Sequence, residues 1–422
     1  MKVIVIGSGL IGLTSAYLLR RRGHEVLVLD RQQGPGRETS FANGTLLTPG
    51  LPEPWNAPGC WRELLSSIGR PQAPLHLRLR ALPALAPWGV AFLRHSRAAN
   101  FAHNTLCNFR LAAYSLRVMD SLRQESGIEY GRIARGTLKI FRDPLALEHA
   151  VNASGQLAAH GLTFRGISAG EAIRLEPALA PIGGELAGAI HYPNDESGDA
   201  YRFCTALAER AREHGVEFRF NTTVTALDAR AGRLAAVLAA GERLSADCYV
   251  AAAGSYSTPL LERIGIALPV RPAKGYSLTF DPSPAQPPLR IPLLDDHFHA
   301  AVVPVGTGIR AAGTAEFAGY DLALRPERIA NLLRLLQQLL PQARFDPAQG
   351  RSWCGLRPMS SDGVPIIGPT PLANLFVSTG HGPLGWTLAA GSAQLLADLM
   401  CGTAPAIDPA GYGLARFAAE GR

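Results

Sequence analysis

The sequence predicts an α/β chain in which a parallel-sheet domain of the nucleotide-binding kind is built from separated segments, with α+β regions between them. Three observations predict it. Met1 to Asp30 reads as strand, glycine turn, helix, strand and acid. Tyr249 to Tyr256 is an apolar strand ending on glycine, and Leu375 to Thr387 is a strand running into a glycine-rich helix start. At such strand ends, helix N-termini offer free N–H groups and a positive dipole end to phosphates.

In the first unit, Lys2 to Ile6 is a short apolar run rich in β-branched residues, as a buried parallel strand requires. The turn Gly7-Ser8-Gly9-Leu10-Ile11-Gly12 follows, and Leu10, Leu13, Thr14, Tyr17 and Leu18 then recur at helical spacing as far as Gly23. Glu25 to Leu29 is the second strand, closed by Asp30 eighteen positions beyond Gly12. This is the dinucleotide fingerprint in its structural context. Gly7 permits the tight turn, Gly9 lets a pyrophosphate approach the backbone, and Gly12 lets helix and strand pack closely. Asp30 can accept hydrogen bonds from a ribose hydroxyl. The unit alone does not separate FAD from NAD.

The 422 residues suffice for two connected domains with sizeable cores. We place the nucleotide domain at 1–59, 200–265 and 350–422, and the second domain at 60–199 and 266–349. The net charge of +7 is carried almost wholly by arginine and is scattered along the chain. That argues against nucleic acid as a partner and allows a mild attraction to anionic membrane surfaces. The six cysteines are far apart with no CxxC pair, so buried thiols are expected and a metal site is not. The N-terminus lacks a basic leader and a small-residue cleavage site, and no run reaches the ~20 apolar residues of a membrane span. A cytoplasmic protein is expected, with peripheral contact on the inner face of the membrane as an extension of that reading.

Arg31 to Gly59 is rich in Gly, Pro, Thr, Ser and Asn and reads as a long functional loop. Its centre, Glu38 to Gly44, brings Thr39, Ser40 and Asn43 close behind the nucleotide unit; an ordinary helix cap at Thr39 or Ser40 is the alternative. Cys60 to Gly127 has a helical pattern broken at Pro71, Pro74, Pro83 and Pro87, with its best helix over about 100–125. Within it, Leu75 to Arg97 sets Trp88 and Phe92 between arginines, a pattern that fits either a membrane interface or ordinary packing. Strands are predicted at Arg135–Phe141, Gly188–Tyr192, Val216–Phe220, Val224–Leu227, Leu234–Leu238 and Tyr249–Ala252. Ser168 to Glu171 forms a capping box, and helices are predicted over 200–214 and 325–340. Tyr276–Phe280, Ala300–Val305 and Gly308–Ala312 read as strands of a sheet, with a hairpin at Gly306-Thr307. The turn from Thr379 through Gly380-His381-Gly382-Pro383-Leu384-Gly385-Trp386-Thr387 presents a second helix N-terminus to an anion. NAD enzymes have no evident need of one there, whereas a reduced flavin carries negative charge at N1 and O2.

In this order and spacing, IVIGSGLIGLTSAYLL, ETSFAN, PWNAPG, RGTLKIFR, YPNDESGD, AAAGSYS, KGYSLT, CGLRPMSSDGVPIIG and STGHGPLGWTLAAGSAQLL resemble bacterial FAD-dependent D-amino-acid dehydrogenases of the glycine-oxidase and D-amino-acid-oxidase superfamily, nearly end to end. The resemblance implies a discontinuous FAD-binding Rossmann-type domain and a substrate domain built on a large antiparallel sheet. FAD is then held non-covalently by the glycine turn, Asp30, Arg31, Thr39, Ser40, Asn43, Gly44, Val224, Gly254 and the stretch from Gly380 to Thr387. In the sarcosine-oxidase branch a cysteine in the C-terminal stretch carries flavin covalently; Cys354 falls about one position away from it.

The resemblance places the substrate carboxylate on Arg357, a role that suits a planar bidentate guanidinium. Tyr276 and His381 are implied to line the same pocket, with structural packing or hydrogen bonding behind the pocket wall as the alternative for each. The reaction implied is hydride transfer from Cα to flavin N5, giving an imine that water hydrolyses, with the electrons passed to a respiratory acceptor. D-Alanine dehydrogenases of the family carry threonine where Pro383 stands and Gln-Ile-Ser where Leu46-Leu47-Thr48 stands, which brings D-proline and cis-4-hydroxy-D-proline forward as substrates beside D-alanine. The pocket stretches suggest a small or cyclic substrate and no acid for a basic side chain. An oxygen-using oxidase and a flavin-carrying subunit are the alternatives.

Overall fold

The computed structural model describes residues 1–67, 70, 73 and 75–418. Pro71, Pro74 and the last four positions of the 350–422 segment lie outside the described residues.

Among the described residues, the first sheet has six strands. Their order is Ile366–Pro369, Leu375–Thr379, Cys248–Ala251, Lys2–Ile6, Glu25–Leu29 and Glu217–Arg219, all parallel except the first. Alternation divides its two faces, as the pleat demands. Val3 and Val5 pack beneath the helices Leu10–Arg21, Ala200–Glu213 and Gly385–Cys401, while Ile4 and Ile6 join a core with the antiparallel strands Val224–Arg230 and Arg233–Ala239. The helix Ala98–Ser126 also packs on Gly385–Cys401, across the expected boundary at residue 60.

A second sheet has nine strands among the described residues, mostly antiparallel. It runs Arg351–Ser360, Val270–Phe280, Gly308–Phe317, Ala300–Val305, Leu293–Asp295, Thr137–Phe141, Gly188–Tyr192 and Arg165–Ile167. Leu293–Asp295 pairs in parallel with Thr137–Phe141, and Leu75–Leu77 lies parallel to Gly308–Phe317. Two expectations change here. Leu75–Leu77 is a strand inside the stretch expected to be helical, and Arg351–Ser360 belongs to this sheet although it falls after the expected boundary at 350. One face of the sheet is closed by the amphipathic helix Pro326–Leu339, whose Leu332, Leu335, Leu336 and Leu339 meet Tyr276, Leu278 and Phe280. The opposite face looks toward the carboxyl ends of the parallel strands, and the cavity lies between the two sheets.

The helix Leu82–His95 turns Leu85, Trp88 and Phe92 onto the end of the large sheet and leaves Val90 and Leu93 exposed. Trp88 Nε1 donates to Met359 O at 3.1 Å. No helix among the described residues is long and apolar enough to cross a membrane.

Candidate active site

The cavity, of about 660 Å³, runs from the first glycine turn to the large sheet. At its nucleotide end the two glycines have distinct duties. Gly7 has φ +107, and a Cβ on Gly12 would fall 1.9 Å from Gly7 O, so neither site admits a side chain. Gly7, Gly9, Leu10 and Ile11 line the cavity, while Gly12 and Ser8 stand behind it. Ser8 serves the site indirectly: its N–H and hydroxyl both donate to Asp30 Oδ2, at 2.6 and 2.7 Å. Asp30 lines the cavity with one oxygen so held and the other accepting from Gln32 N at 2.8 Å. Arg31 lies over the Tyr256 ring at 3.7 Å and pairs with Glu38 at 2.5 Å. Val224 and Gly254 line the same region.

The long loop supplies the middle. Ser40 Oγ accepts from Leu10 N at 3.2 Å, and Thr39 Oγ1 donates to Leu356 O at 2.8 Å. Asn43 Oδ1 accepts from Thr45 N at 3.0 Å, closing an Asx turn over Gly44. Opposite stands the second helix start, where Gly382, Pro383, Leu384, Gly385, Trp386 and Thr387 line the cavity and Gly380 does not. Neither Leu10–Arg21 nor Gly385–Cys401 has a side-chain cap from its own N-cap residue. Two helix ends that keep N–H groups beyond the one Ser40 takes, a crevice that excludes side chains and an acid at the second strand suit an extended dinucleotide with a flavin at the far end.

Arg357 closes the far end. Its guanidinium lies flat on Gly275: a Cβ there would come within 2.2–2.5 Å of Nη1, Cζ and Nη2. The paired residue Gly355 gives the Trp353 ring the same room. Nη1 donates to Thr314 O at 3.1 Å, and the Trp55 ring lies 5.4 Å away. Among the described residues no acid comes within ion-pairing distance of Arg357. Burial alone draws its pKa down to about 10, leaving a cation that faces the cavity with its charge unanswered by protein. Thr314 reaches the guanidinium because the strand bulges. Lys274 pairs with Glu316 but Tyr276 with Gly313, and Thr314 takes φ +55 in between.

Tyr276 and His381 both border the cavity, as expected, but neither aims its polar group into it. Ala273, Gly275 and Ser277 pair with Arg357, Gly355 and Trp353, so the alternate residues Tyr276 and Cys354 point to the opposite face. The Tyr276 phenol donates to Glu316 Oε2 inside that core, and burial pushes its pKa up, so it stays protonated. Cys354 Sγ donates to Leu322 O at 3.1 Å, away from the cavity, in keeping with non-covalent FAD. His381 lines the cavity, but its Nε2 meets Ser392 Oγ at 3.0 Å and burial lowers its pKa to about 3. It is a neutral packing residue rather than an acid or base.

The expectation of no acid for a substrate side chain is also corrected: Glu53 and Asp296 line the cavity, with the bases Lys139 and His299. A signal for Glu53 and Trp55 existed in Leu51-Pro52-Glu53-Pro54-Trp55, because residues before proline are extended and their side chains alternate. Lys139, Asp296 and His299 had no local signal, since the sheet alone brings them here. No group of acids, histidines and cysteines among the described residues could hold a metal ion.

Residues 2–399 match the family model described as FAD dependent oxidoreductase (DAO). The D-amino acid dehydrogenase of Xanthobacter autotrophicus is 43% identical over 419 residues, 99% of each chain. That of Chromohalobacter salexigens is 40% identical over 99% of this chain and 100% of its own. Among solved structures, glycine oxidase from Geobacillus kaustophilus superposes with a TM-score of 0.74 at 25% identity, covering 98% of each chain. L-Proline dehydrogenase from P. horikoshii shares the fold, with a TM-score of 0.76 at 18% identity over 99% of this chain and 98% of its own. The two helix starts, the glycine crevice and these likenesses converge: the chain is an FAD-dependent oxidoreductase and belongs to the DAO family.

Proposed function

We propose that the protein oxidises D-amino acids as a dehydrogenase, passing the electrons to a respiratory acceptor. The observation that carries the reading is Arg357, a half-buried guanidinium with no acid partner among the described residues, lying on a glycine floor at the end of an FAD-type cavity. Such a group calls for a carboxylate, and its planar fork fixes the carboxylate's orientation as well as its place. Bound FAD supplies the acceptor for the hydride lost from Cα. The protein's part is positional: Arg357, braced by Thr314 O and Trp55, holds one end of the substrate so that Cα–H is presented repeatedly in one direction. The imine released from an acyclic substrate then adds water to give ammonia and a 2-oxo acid, whereas a cyclic substrate leaves as the pyrroline carboxylate, which is itself the imine.

D-Alanine, D-proline and cis-4-hydroxy-D-proline are the substrates proposed. Pro383, Leu46 and Thr48, where D-alanine dehydrogenases differ, all line the cavity and favour the cyclic pair. A membrane-side acceptor is supported by the apolar face of Leu79, Leu82, Val90 and Leu93, exposed among Arg80, Arg94 and Arg97.

The test is anaerobic bleaching of the flavin by each D-amino acid, then reoxidation by oxygen or by a quinone analogue. Bleaching by D- but not L-forms, with fast reoxidation by the quinone only, is expected. Rapid reoxidation by oxygen would make the protein an oxidase, and a flavin that no amino acid bleaches would mark a carrier subunit.

A further inference from the structure

Leu51, Glu53 and Trp55 line the cavity, whereas Pro52 and Pro54 between them are buried. The prolines hold this segment extended, so the three side chains share one side. Trp55 lies over the Arg357 guanidinium, and Glu53 stands one alternation, about 7 Å along the chain, from Trp55 on the same wall of the cavity. No other residue's donor reaches the Glu53 carboxyl among the described residues. Burial pushes its pKa up, opposed by the charge of Lys139 and by its own backbone amide. Lys139 is itself engaged, with its Nζ 3.0 Å from Asp296 Oδ1. Among the described residues the cavity therefore has a cation without an anion at one point of its wall and an acid without a donor at another.

We propose that Glu53 selects the substrate side chain, taking a hydrogen-bond donor, hydroxyl or ammonium, carried at the end of the substrate away from Arg357. This rests on the D-amino-acid reading above. With an all-carbon side chain the carboxyl stays desolvated and unpaired, and a site built around a polar partner discriminates strongly against the analogue that lacks it.

Two near-isosteric pairs test it, cis-4-hydroxy-D-proline against D-proline and D-lysine against D-norleucine, by kcat/KM and by anaerobic flavin reduction. Wild type should favour the donor-bearing member of at least one pair. In Glu53→Ala that ratio should fall about tenfold or more. Glu53→Gln tells the donors apart, because an amide keeps a preference for hydroxyl and loses one for ammonium. A ratio unchanged in Glu53→Ala, or a wild type that favours the donor-free member of both pairs, overturns the proposal. If both variants lose flavin, the wild-type ratios decide it alone. A wild-type flavin that no D-amino acid reduces overturns the underlying reading and this proposal with it, a result distinct from an unchanged ratio.

Discussion

Arg357 acts through what surrounds it, and the most informative neighbour has no side chain. A methyl group on Gly275 would occupy the guanidinium's own place. Gly275→Ala is therefore expected to raise KM much as Arg357→Ala does, by about 3 kcal/mol or roughly a hundredfold in kcat/KM, with flavin content kept. Gly275→Ala with wild-type kinetics would mean that the guanidinium binds substrate from another position. Arg357→Lys should rescue little, since a point charge cannot reproduce the fork. In KGYSLT, chemistry draws attention to Tyr276, whereas the catalytic face belongs to the glycine beside it. The apolar alternation Tyr276, Leu278, Phe280 was the available sign that the phenol faces a core.

At the level of elements, Asp195 fastens the functional loop to the large sheet. It accepts from Gly50 N at 2.9 Å and from Thr137 Oγ1 at 2.7 Å. Burial raises its pKa to about 7, against those two hydrogen bonds. Between about pH 4, where the unfolded carboxyl ionises, and pH 7, the folded state holds the extra proton. Stability from this group is thus fully present below pH 4 and is lost as pH rises to 7, by up to about 1.4 kcal/mol per pH unit. Urea midpoints at pH 5, 6 and 7 should show wild type losing ground to Asp195→Asn as pH rises. A constant difference would mean that Asp195 is ionised throughout. The helices, the capping box at Ser168 and the strands were legible because each is written in a local period or cap. Leu75–Leu77 was not, because a three-residue strand carries no period of its own.

Across the whole molecule, the cavity joins the two sheets, so FAD should stabilise both at once. Removing it is expected to lower Tm and broaden or split a single transition, and restoring it should raise Tm with concentration by mass action. A Tm indifferent to added FAD would place the nucleotide outside this cavity. The nucleotide end could be read from Met1–Asp30 because strand, turn, helix and acid are contiguous. The substrate end could not, because Glu53, Lys139, Asp296 and Trp353 come from four segments that meet only when the sheet is folded.

The bulge at Thr314 bears on how relatives of this chain should be aligned. Removing Thr314 would leave Ala315 alone opposite Gly275 and restore an unbroken ladder, a change the sheet could absorb. The same deletion would withdraw the carbonyl that steadies Arg357. A single-residue gap between Gly313 and Glu316 in a relative is therefore a marker of altered chemistry, although every residue that touches substrate would still align.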